Sequence, residues 1–327
     1  MERVLDSLAS GGRVSIEVVP PARGGDLDAI KAAVGLLMPF KPAFVSVTDH
    51  PAGKAWADSS GGPSRVALRT KPGTLGTAVA IRDEFGVQTV PHLVAEGAER
   101  LAMEDLLIDL HYANFRDIFV VRGDERYAPP ALRARKAAGA EGCEDGVEGY
   151  AHAVDLVSHV MSLNAGKYTP PSEGKPTAFS VGVAGYPQKH FEAPNLESDV
   201  LRLKEKLDAG ASFVVTQMVF EASWYSGLVR ALADLGLKVP VVPGIKPVLR
   251  ASSLASIPRT FFLDLPRGLV TALTEARSPA EERQAGIEWA VRLARELLDS
   301  GAPCLHFFTM GSGAATRAVL DGLYGRG

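Results

Sequence analysis

The chain has 327 residues, 46% hydrophobic and 22% charged, with 33 glycines and 22 prolines, a balance that can bury a large core and excludes a disordered chain. Its formal charge of -3, from 35 basic and 38 acidic side chains, lacks the basic surplus that nucleic-acid binding and membrane-surface binding draw on, so neither partner is expected. Apolar runs stop well short of the ~18 residues of a membrane span. Acidic residues stand in Met1-Glu2-Arg3-Val4-Leu5-Asp6 where a signal peptide carries a basic segment, which makes the cytoplasm the expected compartment.

Eight short runs with strand character follow one another at residues 14–19, 43–47, 88–93, 117–122, 178–184, 213–219, 239–243 and 304–308, each followed by enough chain for a crossover helix. In 26–38, Leu27, Ile30, Val34 and Leu37 recur at a spacing of three and four and share one helical face. Residues 196–209 repeat the pattern and end at Gly210, a helix-terminating glycine. Strands alternating with helices read as parallel βαβ units, and eight such units as a closed (β/α)8 TIM barrel, a single α/β catalytic domain over residues 1–327. A doubly wound open sheet is the alternative, but Val19-Pro20-Pro21-Ala22-Arg23 stands where that fold places its glycine-rich phosphate turn. Residues 125–149 and 164–176 are too irregular for helix and read as long surface loops, the first at the C-terminal mouth of the barrel and the second at the opposite rim.

In a barrel the polar residues at strand ends are the candidates for chemistry. Glu17 lies between Ile16 and Val18; desolvation by an apolar run raises a carboxyl pKa and makes a general acid, while the plainer reading is a solvent-facing or ion-paired glutamate. The fourth strand ends in Arg122-Gly123-Asp124, where glycine allows a sharp turn and close approach of a flat ligand. Arg122 there suits an anion and Asp124 a developing cation, or the two form a local ion pair. Thr48, His92, Tyr186, His190, Gln217, His306 and Thr309 stand at or just beyond other strand ends. The seven histidines have no zinc-ligand spacing, and Cys143 and Cys304 read as unpaired thiols, so no metal is expected. Residues 311–316 open either a phosphate-binding helix N-terminus or a turn that uses glycine for geometry.

Taken in order, Ser15-Ile16-Glu17-Val18-Val19-Pro20-Pro21, Phe44-Val45-Ser46-Val47-Thr48, Pro91-His92-Leu93, Val121-Arg122-Gly123-Asp124, Ser180-Val181-Gly182-Val183-Ala184-Gly185-Tyr186-Pro187, Lys206-Leu207-Asp208-Ala209-Gly210-Ala211, Thr216-Gln217 and Pro243-Gly244-Ile245 resemble the methylenetetrahydrofolate reductase family, over nearly the whole chain. The resemblance implies a (β/α)8 barrel with FAD at its C-terminal face, NADH or NADPH as hydride donor, and reduction of 5,10-methylenetetrahydrofolate to 5-methyltetrahydrofolate. It makes Glu17 the acid that assists ring opening and gives Asp124 and Gln217 to the iminium and pterin. Thr48, His92, Arg122, Gly123, Asp124, Ala151, Tyr186, His190, Ala193, Asp199 and Lys206 become flavin contacts. Arg122, His190 and Lys206 suit a pyrophosphate or ribityl chain, Asp199 a ribose hydroxyl, and Tyr186 a ring face.

The sequence departs from the family pattern in four places. Asp49-His50 replaces an aromatic residue and a short glycine-rich turn, opening a longer loop to about Pro72; Glu205 stands at an often basic position; Ile257 takes the place of an aromatic over the pterin or nicotinamide, with Phe261 or Phe262 as replacements; and Met310-Gly311 follows the last strand. Flavin-free hydride transfer to the same substrate and a folate-binding methyltransferase are the competing readings. Monomer and homo-oligomer are equally compatible with the pattern.

Overall fold

The computed structural model describes residues 2–50, 53–59, 62–68, 71–123, 149–169 and 172–325. Eight parallel strands close a barrel in chain order: β1 (Val14–Val18), β2 (Val45–Val47), β5 (Thr89–Val94), β6 (Asp117–Val121), β9 (Ser180–Gly185), β10 (Phe213–Met218), β11 (Val241–Ile245) and β12 (Leu305–Phe308), which returns to β1. All eight expected strands are present. Closure is direct: Val14 pairs with Leu305 and Ile16 with Val45.

Side chains alternate across each strand, and the alternation builds two cores. Val14, Ile16 and Val18 point outward and pack with helical residues such as Ile30, Val34, Leu293 and Leu320. Phe44, Val90, Phe119, Phe213, Val215, Val242 and Cys304 form a second cluster with Val4 and Leu8 of the N-terminal helix Val4–Ala9. That cluster fills the barrel's interior. Gly182 is required there, since a Cβ would come within 2.4 Å of the Phe213 ring. Cys304 is a buried free thiol whose pKa burial pushes up to about 12, so it is unreactive.

The helix expected over 26–38 is Asp28–Leu37 followed by a 3-10 turn Met38–Phe40, stopped by Lys41 in the left-handed region. Leu196–Asp208 ends as expected, with Gly210 at φ 117°. Two expected loops carry strands. Within 49–72, β3 (Gly53–Ser59) and β4 (Gly62–Leu68) pair antiparallel; in 164–176, β7 (Lys167–Tyr168) pairs with β8 (Ser172–Glu173). The 125–149 loop lies outside the described residues except for Gly149, which bridges Glu99; Asp124 and Cys143 lie outside them too. Among the described residues no helix is long and apolar enough to cross a membrane.

Candidate active site

Residues at the C-terminal ends of the strands line a cavity of about 430 Å³. Glu17 faces it from β1, its side chain 14% exposed, with His92 Nε2 at 3.8 Å and His306 Nε2 at 4.0 Å from its Oε2. The carboxylate's surroundings differ from the sequence expectation. Ile16 and Val18 sit on the opposite face of the strand, so imidazoles from β5 and β12 enclose Glu17 in place of its chain neighbours.

Both histidines are held in place. His306 Nδ1 is 2.9 Å from Ser15 Oγ, and its ring stacks on Phe44 at 5.7 Å. His92 lies 4.8 Å from the Phe119 ring, and burial lowers its pKa to about 4 against the pull of Glu17. His92 is therefore neutral at pH 7. His50 lines the same cavity, its pKa lowered by burial and by Lys71. Thr48 Oγ1 and His50 Nδ1 are buried without hydrogen-bond partners. Gln217, at an irregularity in the β10–β11 register, accepts from its neighbour Met218 N at 2.9 Å through Oε1.

A second cavity of about 210 Å³ opens beside the first and shares Val121, Ala184 and Tyr186 with it. Arg122, His152, His190, Asp199, Arg202, Glu205 and Lys206 line this groove. Lys206 is only partly buried as a residue, but its ammonium is packed in protein. Nζ donates to Ala184 O at 2.7 Å, and desolvation lowers its pKa to about 8 with Asp199 opposing. Asp199 accepts from His190 N at 3.1 Å; burial raises its pKa while that bond and Lys206 hold it back. Tyr186 meets His190 edge-on at 4.8 Å.

The structure thus places Glu17, Thr48, His92 and Gln217 in the barrel cavity, Arg122, His190, Asp199 and Lys206 in the groove, and Tyr186 between them. Gly123, Ala151 and Ala193 line neither. Gly123, at φ 109°, is needed because a Cβ would meet Val94 at 2.7 Å. Ala193 is buried in a turn with its N donating to His190 O. Ala151 N donates to Asp155 Oδ2 at 3.1 Å, next to the buried chain of Tyr150 OH, His159 and Glu104.

Ile257 does not reach the ligand space. It is buried with Met218, Phe220, Leu263 and Leu269, and Phe261 lines the cavity instead. Phe262, at φ 55°, stacks on Phe191 at 4.6 Å outside it. Sequence reasoning named His306 as a strand-end candidate without a role, and assigned none to His50, His152, Glu192 or Arg202. Gly311, at φ 86°, makes the turn before the helix Ala314–Tyr324, where Gly313 packs against Ala33 O. Among the described residues no group of acidic, histidine and cysteine side chains could hold a metal ion.

Together the fold and the site define a (β/α)8 barrel with a histidine-flanked carboxylate at its C-terminal mouth, the face on which such barrels carry out chemistry. The sequence model for methylenetetrahydrofolate reductase matches residues 3–324, and the chain belongs to that family. It is 28% identical over 311 residues to a probable methylenetetrahydrofolate reductase (NADPH) of Caenorhabditis elegans, covering 94% of this chain and 42% of that protein. It is 25% identical over 307 residues to the 5,10-methylenetetrahydrofolate reductase of Pectobacterium carotovorum subsp. carotovorum, covering 94% and 88%. A methylenetetrahydrofolate reductase (NADH) of Arabidopsis thaliana matches at 26% identity over 319 residues, covering 94% of this chain and 48% of that one. The chain thus spans less than half the length of these two eukaryotic relatives. Among solved structures, an uncharacterized protein from Clostridium thermocellum that binds two copies of 5-methyl-5,6,7,8-tetrahydrofolic acid superposes with a TM-score of 0.62 at 11% identity, over 98% of each chain. That likeness concerns the fold.

Proposed function

We propose that this chain reduces 5,10-methylenetetrahydrofolate to 5-methyltetrahydrofolate with a hydride from NADH or NADPH, and that FAD binds across the cavity and groove. The observation that carries the reading is Glu17, a carboxylate between two imidazole nitrogens at 3.8 and 4.0 Å in the mouth of a barrel of this family. The residues present fit FAD: an open cavity with unpartnered Thr48 Oγ1 adjoins a groove that carries Lys206, Arg202 and Asp199. Thr48, His92 and Tyr186 would border its ring, and Lys206, His190 and Asp199 its chain. When bound, the flavin supplies a two-electron carrier between nicotinamide and folate.

The residues' own work is proton and charge management. The imidazolidine ring must open to an iminium before a hydride can reach the methylene carbon, and Glu17 protonates the departing nitrogen. A neutral His92 suits that role, since an imidazolium beside the carboxyl would favour its ionised form. The Gln217 amide orients the pterin. The carboxylate facing the cation is Asp124 in this reading, outside the described residues.

Direct transfer from nicotinamide to the same substrate is the second reading. Glu192 on Arg122 and Glu205 at the groove favour it, because both subtract from the positive charge available to a diphosphate. Purified protein given methylenetetrahydrofolate and NADH or NADPH should form 5-methyltetrahydrofolate, measured by mass spectrometry. No product with either nucleotide, with FAD added, overturns the proposal. The absorbance spectrum of the purified protein separates the flavin-bound from the flavin-free route.

A further inference from the structure

Glu192 lies between β9 and the helix Leu196–Asp208, in the turn that carries His190. Its carboxylate takes both terminal nitrogens of the Arg122 guanidinium, Oε1 accepting from Nη2 at 3.0 Å and Oε2 from Nη1. Oε2 also stands 3.9 Å from His190 Nδ1, which in turn accepts from Glu192 N at 3.3 Å. The Arg122 and Glu192 side chains are 19% and 26% exposed, so water screens the pair only in part. This planar two-point contact is the geometry with which arginine also grips a phosphoryl group. Here a carboxylate of the chain itself already occupies it.

The other cations of the groove are placed differently. Lys206 Nζ donates to one carbonyl, Ala184 O, and Arg202 forms no salt bridge among the described residues. Two kinds of cationic position therefore face one groove: Arg122 is held in a two-point ion pair, whereas Lys206 and Arg202 feel Asp199 only through space.

We propose that Glu192 is a specificity residue: an internal counter-anion that reserves Arg122 for uncharged hydroxyl or carbonyl groups of a dinucleotide and leaves the phosphoryl groups to Lys206 and Arg202. The inference rests on reading the groove as a dinucleotide site. A phosphoryl group brought to Arg122 meets the charge of Glu192 at close range, whereas a ribityl or ribose hydroxyl can donate to that carboxylate and accept from the guanidinium.

The test is calorimetric titration with inorganic pyrophosphate and, as the uncharged probe, riboflavin, with no folate or turnover involved. Glu192→Gln should tighten pyrophosphate binding at least about tenfold and leave riboflavin within about twofold, since only the charged probe senses the lost repulsion. In the otherwise unaltered protein, the charge-neutral double change Arg122→Gln with Glu192→Gln should leave pyrophosphate affinity within about twofold while Lys206→Gln weakens it at least about tenfold, and this pair decides the matter if Glu192→Gln alone does not fold. Unchanged pyrophosphate affinity in folded Glu192→Gln overturns the proposal. So does a loss in the Arg122→Gln, Glu192→Gln double variant equal to that of Lys206→Gln, or the absence of pyrophosphate binding in every form. Failure of folate reduction with these affinities as expected would sink the functional reading and leave the assignment of Glu192 standing.

Discussion

The barrel cavity and the side groove meet at Val121, Ala184 and Tyr186, but they differ in how their charges are compensated. In the cavity, burial holds His92 neutral beside the Glu17 carboxyl and lowers the His50 pKa as well. In the groove burial also opposes charge, lowering His190 and Lys206 and raising Asp199, but opposite charges offset it: Glu192 pairs with Arg122, and Asp199 acts on Lys206. The difference teaches which end suits which task. A proton donor needs neutral, water-poor surroundings, whereas a dinucleotide's anionic chain needs cations that burial leaves charged.

The largest effect that can break this contrast lies in the cavity. His92 has a folded pKa of about 4 against an ordinary value of 6.5, so the unfolded chain binds its proton first as the pH falls. Its neutral burial thus contributes stability that is fully present above pH 6.5 and is lost as the pH falls toward 4, on the order of 3 kcal/mol. Urea denaturation across that window should show a steeper acid limb in the wild type than in His92→Gln; equal limbs would mean that His92 is not held neutral.

Next in size is the groove. Lys206→Ala should weaken FAD retention about tenfold with an unchanged melting temperature, as loss of a charge-assisted contact implies. Because the Lys206 pKa is about 8, its charge is present below that pH and lost above it, so pyrophosphate affinity should decline as pH rises through 8. Lys206→Arg should remove the decline. A decline of the same size in Lys206→Arg would move its origin elsewhere.

The smallest effect separates two residues on one helix. Phe261→Leu should raise the KM for folate or nicotinamide by roughly two- to tenfold, the weight of one aromatic contact. Ile257→Val, in the satellite core, should cost about 0.5–1.5 kcal/mol of stability and leave both KM values alone. A kinetic change in Ile257→Val would put that residue at the ligand after all.

The barrel was legible because most strands are short runs rich in β-branched residues and the helices over 28–37 and 196–208 carry apolar residues at a spacing of three and four. The β3–β4 hairpin was missed, although Gly61-Gly62 between two runs of similar length is a turn signal. Glu17 was legible as a residue but not in its setting: period-two alternation turns Ile16 and Val18 away, and residues far along the chain take their place. Ile257 was misplaced because a position in a family pattern does not say which side of a helix faces the ligand. Here the helix Ser253–Phe261 buries Ile257, and it is Phe261 at its end that reaches the cavity. The Glu192–Arg122 pair could not be read at all, since nothing local links a turn after β9 to the end of β6.

In the proposed reaction Glu17 donates the proton that opens the folate ring. Glu17→Gln keeps the side chain's shape and its hydrogen bonding but has no acidic proton. Its folate dissociation constant and its single-turnover rate of folate reduction, measured side by side, test the claim most directly. Binding should stay within about threefold of the wild type and the rate should fall by at least ~10²-fold, the scale of general acid catalysis. Folate reduction at close to the wild-type rate with binding intact would contradict it.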